Sequence, residues 1–427
     1  MTLDLIVRNA NLPDGRSGID IAVAGGKIAE VAPKIAGTAA REIDAGGLLV
    51  NPPFVDAHFH LDTTLTLGIE GKVNRSGTLA EGIRIWGELT PYLTRDALKQ
   101  RALAYCDLAV TQGLLAIRSH VDVSDDTLMG VEVLVEVKRM VAPYLDLQLI
   151  AFPQIGYFGK ASVADNVRRA LDLGVEVVGG IPHFEPTAEL GRESIRSLCT
   201  LAAERGLRVD MHCDENDDPG SRQIETLTWE TRRLGLQGRV TGSHLCSMHS
   251  MDNFYAARLI DQMAAARMCA VANPLANMVL QGRFDTYPKR RGMMRVPELM
   301  AAGCLVALGH DSVLDPWYPL GRADMLDVAH MGVHVGHMTS QEGMRACFAA
   351  VTEMPAKIMA LEGYGIDKGC HADFVLLQAS DPVEAIRLKP PRLAVVRRGK
   401  VVAETPARVS RLALEGRPPE IDPSRRP

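Results

Sequence analysis

Eight short apolar or β-branched runs, each followed by a helical stretch, constrain this 427-residue chain more than any other feature. They are LLVNPPFVDAHFH, GLLAIRSHVDV, LDLQLIAFPQ, VEVVGGIPHFE, LRVDMHCDE, RVTGSHLCS, MCAVANPLAN and CLVALGHDS. One intervening stretch, GRESIRSLCTLAAERG, puts Ile195, Leu198, Cys199 and Ala202 on one helical face and stops at Gly206. Eight strand–helix alternations in series predict a parallel sheet, and eight is the number that closes into a (β/α)₈ barrel. An open doubly wound sheet is the alternative, but no GxGxxG follows the first strand.

The two ends of the chain read differently. LDLIVRNA, IDIAVAGGKIAEVAP and REIDAGGLLVNPP at the start, and ADFVLLQAS and LAVVRRGKVVAET near the end, are short β pieces. Glycine pairs at Gly25–Gly26 and Gly46–Gly47 mark turns between the first of them. The expected architecture is therefore α/β. A TIM-type barrel over residues 51–355 carries a small β-sandwich domain contributed by residues 1–50 and 356–427. The final EGRPPEIDPSRRP is expected to be a loose tail.

Composition narrows the partners. A formal net charge of −5 argues against broad binding to nucleic acid or anionic membrane and suits a small neutral ligand. No apolar run approaches the roughly 18 residues of a membrane span, and Asp4 and Arg8 interrupt the N-terminal segment. The eight cysteines are scattered singly without a CxxC pair, so neither a disulfide framework nor a cysteine zinc site is indicated. Cys106, Cys199, Cys269 and Cys347 sit among apolar residues as small core hydrophobes. A cytoplasmic protein is expected.

Polar residues collect where the strands end, which is the functional face of such a barrel. His58 and His60 are two apart, so on a strand both imidazoles point the same way. Alone, this HxH is a weak signal and is more often a pair of hydrogen-bonded core histidines than a metal site. Strand five adds His212 and Glu215, strand six His244, and strand eight Asp311. Histidines and a carboxylate converging on one mouth form a nitrogen/oxygen site for a divalent ion such as Zn²⁺ or Fe²⁺.

PPFVDAHFHLDTT, HVDVSDDTL, IAFPQIG, IPHFEPT, MHCDENDD, GSHLCSMHS, VANPLANMVLQGRFDTYPKRRG and GHDSVLDPWYPLG resemble the amidohydrolase superfamily, and within it the bacterial cytosine deaminase branch. The resemblance spans nearly the whole chain. It implies that His58, His60, His212 and Asp311 ligate one divalent ion per chain, Fe²⁺ or Zn²⁺, and that the protein self-associates. Two-metal members bring a carboxylated lysine from strand four. That strand here ends in His183 without a lysine, which favours a mononuclear deaminase over a ring-opening hydrolase.

The implied reaction is hydrolytic deamination of a free pyrimidine base, cytosine or 5-methylcytosine, as in pyrimidine salvage. A divalent ion would activate water, His244 would accept its proton with Asp311 orienting it, and Glu215 would protonate the ring nitrogen. Gln154 suits the lactam edge of a pyrimidine, and Phe152 and Trp317 suit the walls around a flat ring. Cytosine deaminases usually carry a second acid after the strand-eight aspartate, whereas this chain has Ser312. The smaller, uncharged side chain is expected to admit a C5 methyl group; otherwise Ser312 replaces one hydrogen bond and cytosine stays preferred. Rival readings are a deaminase of another ring (isoguanine, creatinine or a triazine) and a non-catalytic scaffold on the same fold.

His120 and His183 are expected either to orient ligands or to pack structurally. His330, His334 and His337 have helical spacing but no catalytic Glu nearby, and are expected to be packed histidines. The basic PKRRG after strand seven reads as a loop, solvated or covering the site.

Overall fold

The computed structural model describes residues 3–424; residues 1–2, and 425–427 of the expected tail, lie outside it. The chain opens with five strands: β1 (Leu3–Ala10), β2 (Ile19–Ala24), β3 (Lys27–Ala32), β4 (Ala39–Asp44) and β5 (Leu49–Asn51). Eight more follow, each succeeded by helix: β6 (Phe54–His60), β7 (Leu114–Asp122), β8 (Asp146–Phe152), β9 (Val177–Gly180), β10 (Arg208–Cys213), β11 (Val240–His244), β12 (Cys269–Ala272) and β13 (Leu305–Leu308). The chain ends with β14 (Phe374–Leu377), β15 (Arg392–Arg397), β16 (Lys400–Glu404), β17 (Ser410–Arg411) and β18 (Glu420–Ile421).

Strands β6 to β13 pair in sequence order, all parallel. Both of their faces are covered, which is why the runs are apolar throughout rather than alternating. The barrel closes just beyond β13, where Asp311 bridges Phe59 in parallel register. Gly309 makes this closure possible, since a Cβ there would lie 2.4 Å from Asn273 Oδ1 and 2.9 Å from His58 Cβ. The helix Ala188–Arg205 shows how local sequence sets the repeats. Thr187 accepts a hydrogen bond from Leu190 N–H at its start, and Gly206 ends it in the left-handed conformation.

The lower barrel is filled by Val55, Ala57, Ala116, Val271 and Ala307, plugged by Ile358 and Met359. Between this plug and the mouth lies a buried polar layer. Arg118 donates to Asp210 Oδ2 (3.0 Å), Gln148 Oε1 (2.7 Å) and the Ile358 carbonyl (3.1 Å), while Ser243 donates to Asp210 Oδ1 (2.7 Å). A charge pair at this depth is tolerable only because its remaining hydrogen-bonding capacity is largely used.

The terminal segments build a sandwich of two four-stranded sheets, β3-β2-β1-β4 and β16-β15-β14-β5. Leu5, Ile21 and Val23 of the first share one apolar cluster with Val50, Phe374 and Val396 of the second. The tail is less loose than its composition suggests. β17 and β18 form a small ribbon, and Gln378 Nε2 donates to Asp422 Oδ1 at 3.1 Å. Seven cysteines are buried and all eight are free thiols. No helix among the described residues is long and apolar enough to cross a membrane.

Candidate metal centre and active site

The period-two geometry of β6 sends His58 and His60 into the barrel, while Phe59 stacks outward on Tyr105 (4.2 Å between centroids, 13° between planes). β10 contributes His212, β11 His244 and β7 His120, so five imidazoles meet at one mouth. His60 Nε2 lies 3.0 Å from His212 Nε2, and the His58 ring stands 4.2 to 4.7 Å from those of His120, His212 and His244. Asp311 Oδ1 lies 3.3 Å from His58 Nε2 and 3.5 Å from His60 Nε2. His244 and Asp311 both take positive φ, 71° and 72°. For non-glycine residues that conformation costs of order 1–3 kcal/mol each and is characteristic of functional strand ends.

The donor chemistry fits a divalent cation. Burial pulls the His60 imidazole down to about 3. Burial, then the neighbouring rings, pull His120 and His212 well below the ordinary histidine value, and burial outweighs the pull of Asp311 at His244. These four rings are therefore neutral, and each keeps one lone pair. His58 Nδ1, His120 Nε2 and His212 Nδ1 are buried without any hydrogen-bond partner, at a cost of about 1–3 kcal/mol for each orphaned group. A cation offsets that cost wherever the unpartnered nitrogen carries the lone pair, as His120 Nε2 does while its Nδ1 donates to the Phe59 carbonyl.

Two sets of four ligand atoms lie within 4.8 Å of one another: His58, His60, His120, His212; and His58, His212, His244, Asp311. The expected quartet is thus divided between them. His58 and His212 belong to both, His60 groups with His120, and Asp311 groups with His244.

Above the rings lies a pocket lined by His60, Gln154, His212, Glu215, His244, Asp311, Ser312 and Trp317, with Leu79, Ile181 and Leu280. Glu215 is only 3% exposed. Burial, then the charge of Asp311, push its carboxyl well above the usual range, which favours the protonated form. Its Oε1 lies 3.4 Å from His244 Nδ1. Trp317 closes one side, 6.5 Å from His60 and roughly parallel to it. The indole presses on the helix Leu79–Leu89 at Gly82, where a Cβ would come within 2.4 Å of Nε1. Asp315 holds this turn. Its carboxylate accepts from the N–H groups of Trp317 (2.9 Å) and Tyr318 (3.0 Å), from Thr63 Oγ1 (2.9 Å) and from the Ser312 hydroxyl.

Phe152 is the exception among the expected residues. It is buried beneath the pocket, stacked 4.2 Å from His212, and so backs that ring rather than facing a ligand. Its position at the last residue of β8 turns the side chain to the histidine layer, and the chain rises to the rim only at Gln154. His183 lies outside both ligand groups. The histidines of the helix Met325–Val335 are at the surface, not packed. His330 is partly exposed, His334 is exposed, and His337 just past the helix meets Arg291 Nη1 at 2.6 Å.

The structure adds residues that the strand-end reading passed over. Asn277 Nδ2 lies 3.0 Å from His244 Nδ1, and Asn277 Oδ1 accepts from Asn273 N–H at 3.3 Å, which sets the orientation of the amide. Asn277 Nδ2 therefore donates, leaving His244 Nδ1 as the acceptor. The signal was the polar pair in ANPLAN immediately after strand seven. A larger cleft of about 500 Å³ opens near Arg345, Lys357 and Tyr364, but neither histidine nor cysteine lines it.

Comparison with known proteins gives the family and the fold. The Amidohydrolase family model matches residues 41–140 and 152–403. N-isopropylammelide isopropyl amidohydrolase of Pseudomonas sp. (strain ADP) is 29% identical over 94% of this chain and 97% of its own. Pterin deaminase of Rhizobium rhizogenes is 30% identical over 91% of this chain and 89% of its own. Among solved structures, 5-methylcytosine deaminase from Klebsiella pneumoniae liganded with 5-fluorocytosine superposes with a TM-score of 0.92 at 38% identity, covering 94% of this chain and 98% of that one.

Proposed function

This chain belongs to the amidohydrolase family, and on that premise we propose that it hydrolyses the exocyclic amine of a free pyrimidine base. 5-Methylcytosine is the favoured substrate, cytosine is also accepted, and the products are thymine or uracil with ammonia. The observation that carries this reading is the shared lining of one pocket. Gln154, Glu215 and Ser312 surround the same small space as His212, His244 and Asp311.

His58, His60, His212 and Asp311 would hold one divalent ion, Fe²⁺ or Zn²⁺. When bound, the ion supplies Lewis-acid activation of water and carbonyl polarisation at neutral pH. His244 accepts the proton that water loses as its oxygen bonds to C4. Asn277 and Asp311 fix the position of the ring, and the lone pair that takes the proton is the one on Nδ1, in exchange for the Asn277 hydrogen bond. Glu215 enters protonated and donates to N3, which relieves the amidine resonance protecting C4. The proton on His244 then passes to the leaving amine, the Glu215 carboxylate takes the remaining hydroxyl proton, and ammonia departs as the C4–N bond breaks and C4=O forms.

Gln154 offers an amide donor and acceptor to the lactam edge. Trp317 and Leu280 wall the ring faces. Ser312, directly after Asp311, leaves room for a C5 methyl where an aspartate would place a charged carboxylate. Ammonia release from 5-methylcytosine, cytosine, isoguanine and creatinine tests the reading, with highest kcat/KM expected for 5-methylcytosine. Turnover of isoguanine or creatinine alone would move the assignment to another ring, and release from none of them would favour a scaffold.

A further inference from the structure

The ligand set used above leaves one metal-binding nitrogen unused. β7 carries the His120 imidazole into the middle of the cluster, 4.2, 4.9 and 4.4 Å from the rings of His58, His60 and His212. Its Nδ1 lies 3.3 Å from the Phe59 carbonyl oxygen. A carbonyl can only accept, so Nδ1 carries the proton and Nε2 keeps a bare lone pair. That Nε2 is buried and without a hydrogen-bond partner. Asp210 Oδ1 stands 4.0 Å away, beyond hydrogen-bond reach, and already accepts from Ser243. This is the arrangement of a histidine prepared for a cation, with one nitrogen anchored on a backbone carbonyl and the other free.

The ligand atoms of His58, His60, His120 and His212 lie within 4.8 Å of one another without any contribution from Asp311. This set is four imidazoles, whereas the set containing Asp311 pairs three imidazoles with a carboxylate. Imidazole suits Zn²⁺, Fe²⁺, Ni²⁺ and Cu²⁺ alike, and among these first-row divalent ions a nitrogen site generally binds Cu²⁺ most tightly, which makes Cu²⁺ the sensitive probe of such a set.

We propose that the barrel mouth offers a second, alternative cation position, in which His120 joins His58, His60 and His212 as an all-imidazole set for a first-row divalent ion, Cu²⁺ most tightly. Because the all-imidazole set shares His58 and His212 with the other group of ligand atoms, and His60 as well with the ligand set proposed above, the two positions exclude each other. Cu²⁺ held there displaces the ion that the Asp311 set would carry. The inference rests on the metal-centre reading only in requiring that these histidines bind a cation.

The test is Cu²⁺ titration of metal-free wild type, Asp311→Ala and Asp311→Ala/His120→Ala, read by electron paramagnetic resonance and by binding stoichiometry, with circular dichroism confirming each fold. Asp311→Ala is expected to bind one Cu²⁺ per chain with an all-nitrogen spectrum. Adding His120→Ala is expected to weaken that binding at least about 10–100-fold, the loss that even an outer partner of a ligand causes. Should Asp311→Ala not fold, pulsed resonance on Cu²⁺-loaded wild type and His120→Ala serves instead, with one histidine nitrogen expected to disappear from the His120→Ala spectrum. Copper binding that is indifferent to His120, or no copper binding in folded Asp311→Ala, overturns the proposal. If wild type still retains one Fe²⁺ or Zn²⁺ in that case, the metal-centre reading survives; if wild type holds no divalent ion of any kind, both fall.

Discussion

Asp311 meets His58 twice. Its backbone N–H donates to the His58 carbonyl at 2.9 Å, and its carboxylate oxygen lies 3.3 Å from His58 Nε2. The first contact closes the barrel, and the second brings the acid to the histidine cluster. One local geometry therefore serves both the fold and the site, which ties the histidine–aspartate cluster to the integrity of the last barrel strand.

Removing the ion is expected to abolish activity. Dialysis against a strong divalent chelator should leave a folded protein that releases no ammonia, and one equivalent of Fe²⁺ or Zn²⁺ per chain should restore it. The folded apo form is expected because the core clusters are apolar and independent of the site. Metal content by mass spectrometry alongside ammonia release checks this.

Glu215→Gln keeps the shape of the side chain but cannot deliver a proton. A fall in kcat of about 10²–10⁴-fold is expected, the usual worth of a general acid, with metal content unchanged because Glu215 belongs to neither ligand set. A loss of bound metal in this variant would instead make Glu215 a ligand.

Ser312→Asp restores an acid next to Asp311 and removes the space assigned to the methyl group. The ratio of kcat/KM for 5-methylcytosine to that for cytosine is expected to fall about 10–200-fold, the range that one methyl group commands in a fitted pocket. An unchanged ratio in the loaded enzyme would sink the steric account.

Arg118→Met should cost stability rather than chemistry. It strips the buried Asp210 of its countercharge, and breaking such a pair destabilises by about 3–5 kcal/mol. Denaturant unfolding of the variant measures this. Replacing Asp210 by Asn as well should recover part of the loss, since the unpaired charge is then gone.

The sandwich has its own pH response. Burial pushes the Asp20 carboxyl up, but N–H donation from Ile35, the Arg8 guanidinium and Asn9 N–H outweigh it and hold the group below its ordinary value. The unfolded chain therefore binds the proton more readily. Asp20 contributes its full stability above the unfolded carboxyl value of about 3.9, and loses it as pH falls further. Asp20→Asn is expected to lower Tm near neutrality and to flatten the dependence of Tm on pH below about 4.

Much of this protein was legible before any fold was known. Eight apolar runs with intervening helical periodicity suffice for the barrel, because a parallel sheet covered on both faces leaves that pattern in the chain. His58, His60, His212, His244, Glu215 and Asp311 were legible because strand ends are short and their side-chain direction alternates with period two. Gln154, Ser312 and Trp317 followed from motif resemblance and do line the pocket.

Other features depend on contacts between segments far apart in the chain. Phe152 differs from Gln154 by two residues, yet one backs His212 and the other faces the pocket, because the strand ends between them. Asn277 became relevant only once the helix Pro274–Leu280 was folded against His244. His120 shows the limit most clearly. Its sequence position marks a strand end and nothing more. What gives it a bare nitrogen is the Phe59 carbonyl on a neighbouring strand, 61 positions earlier. Hydrophobic periodicity is local and survives in the sequence, whereas the partner of each buried polar atom is decided by barrel register and closure, which only the tertiary structure supplies.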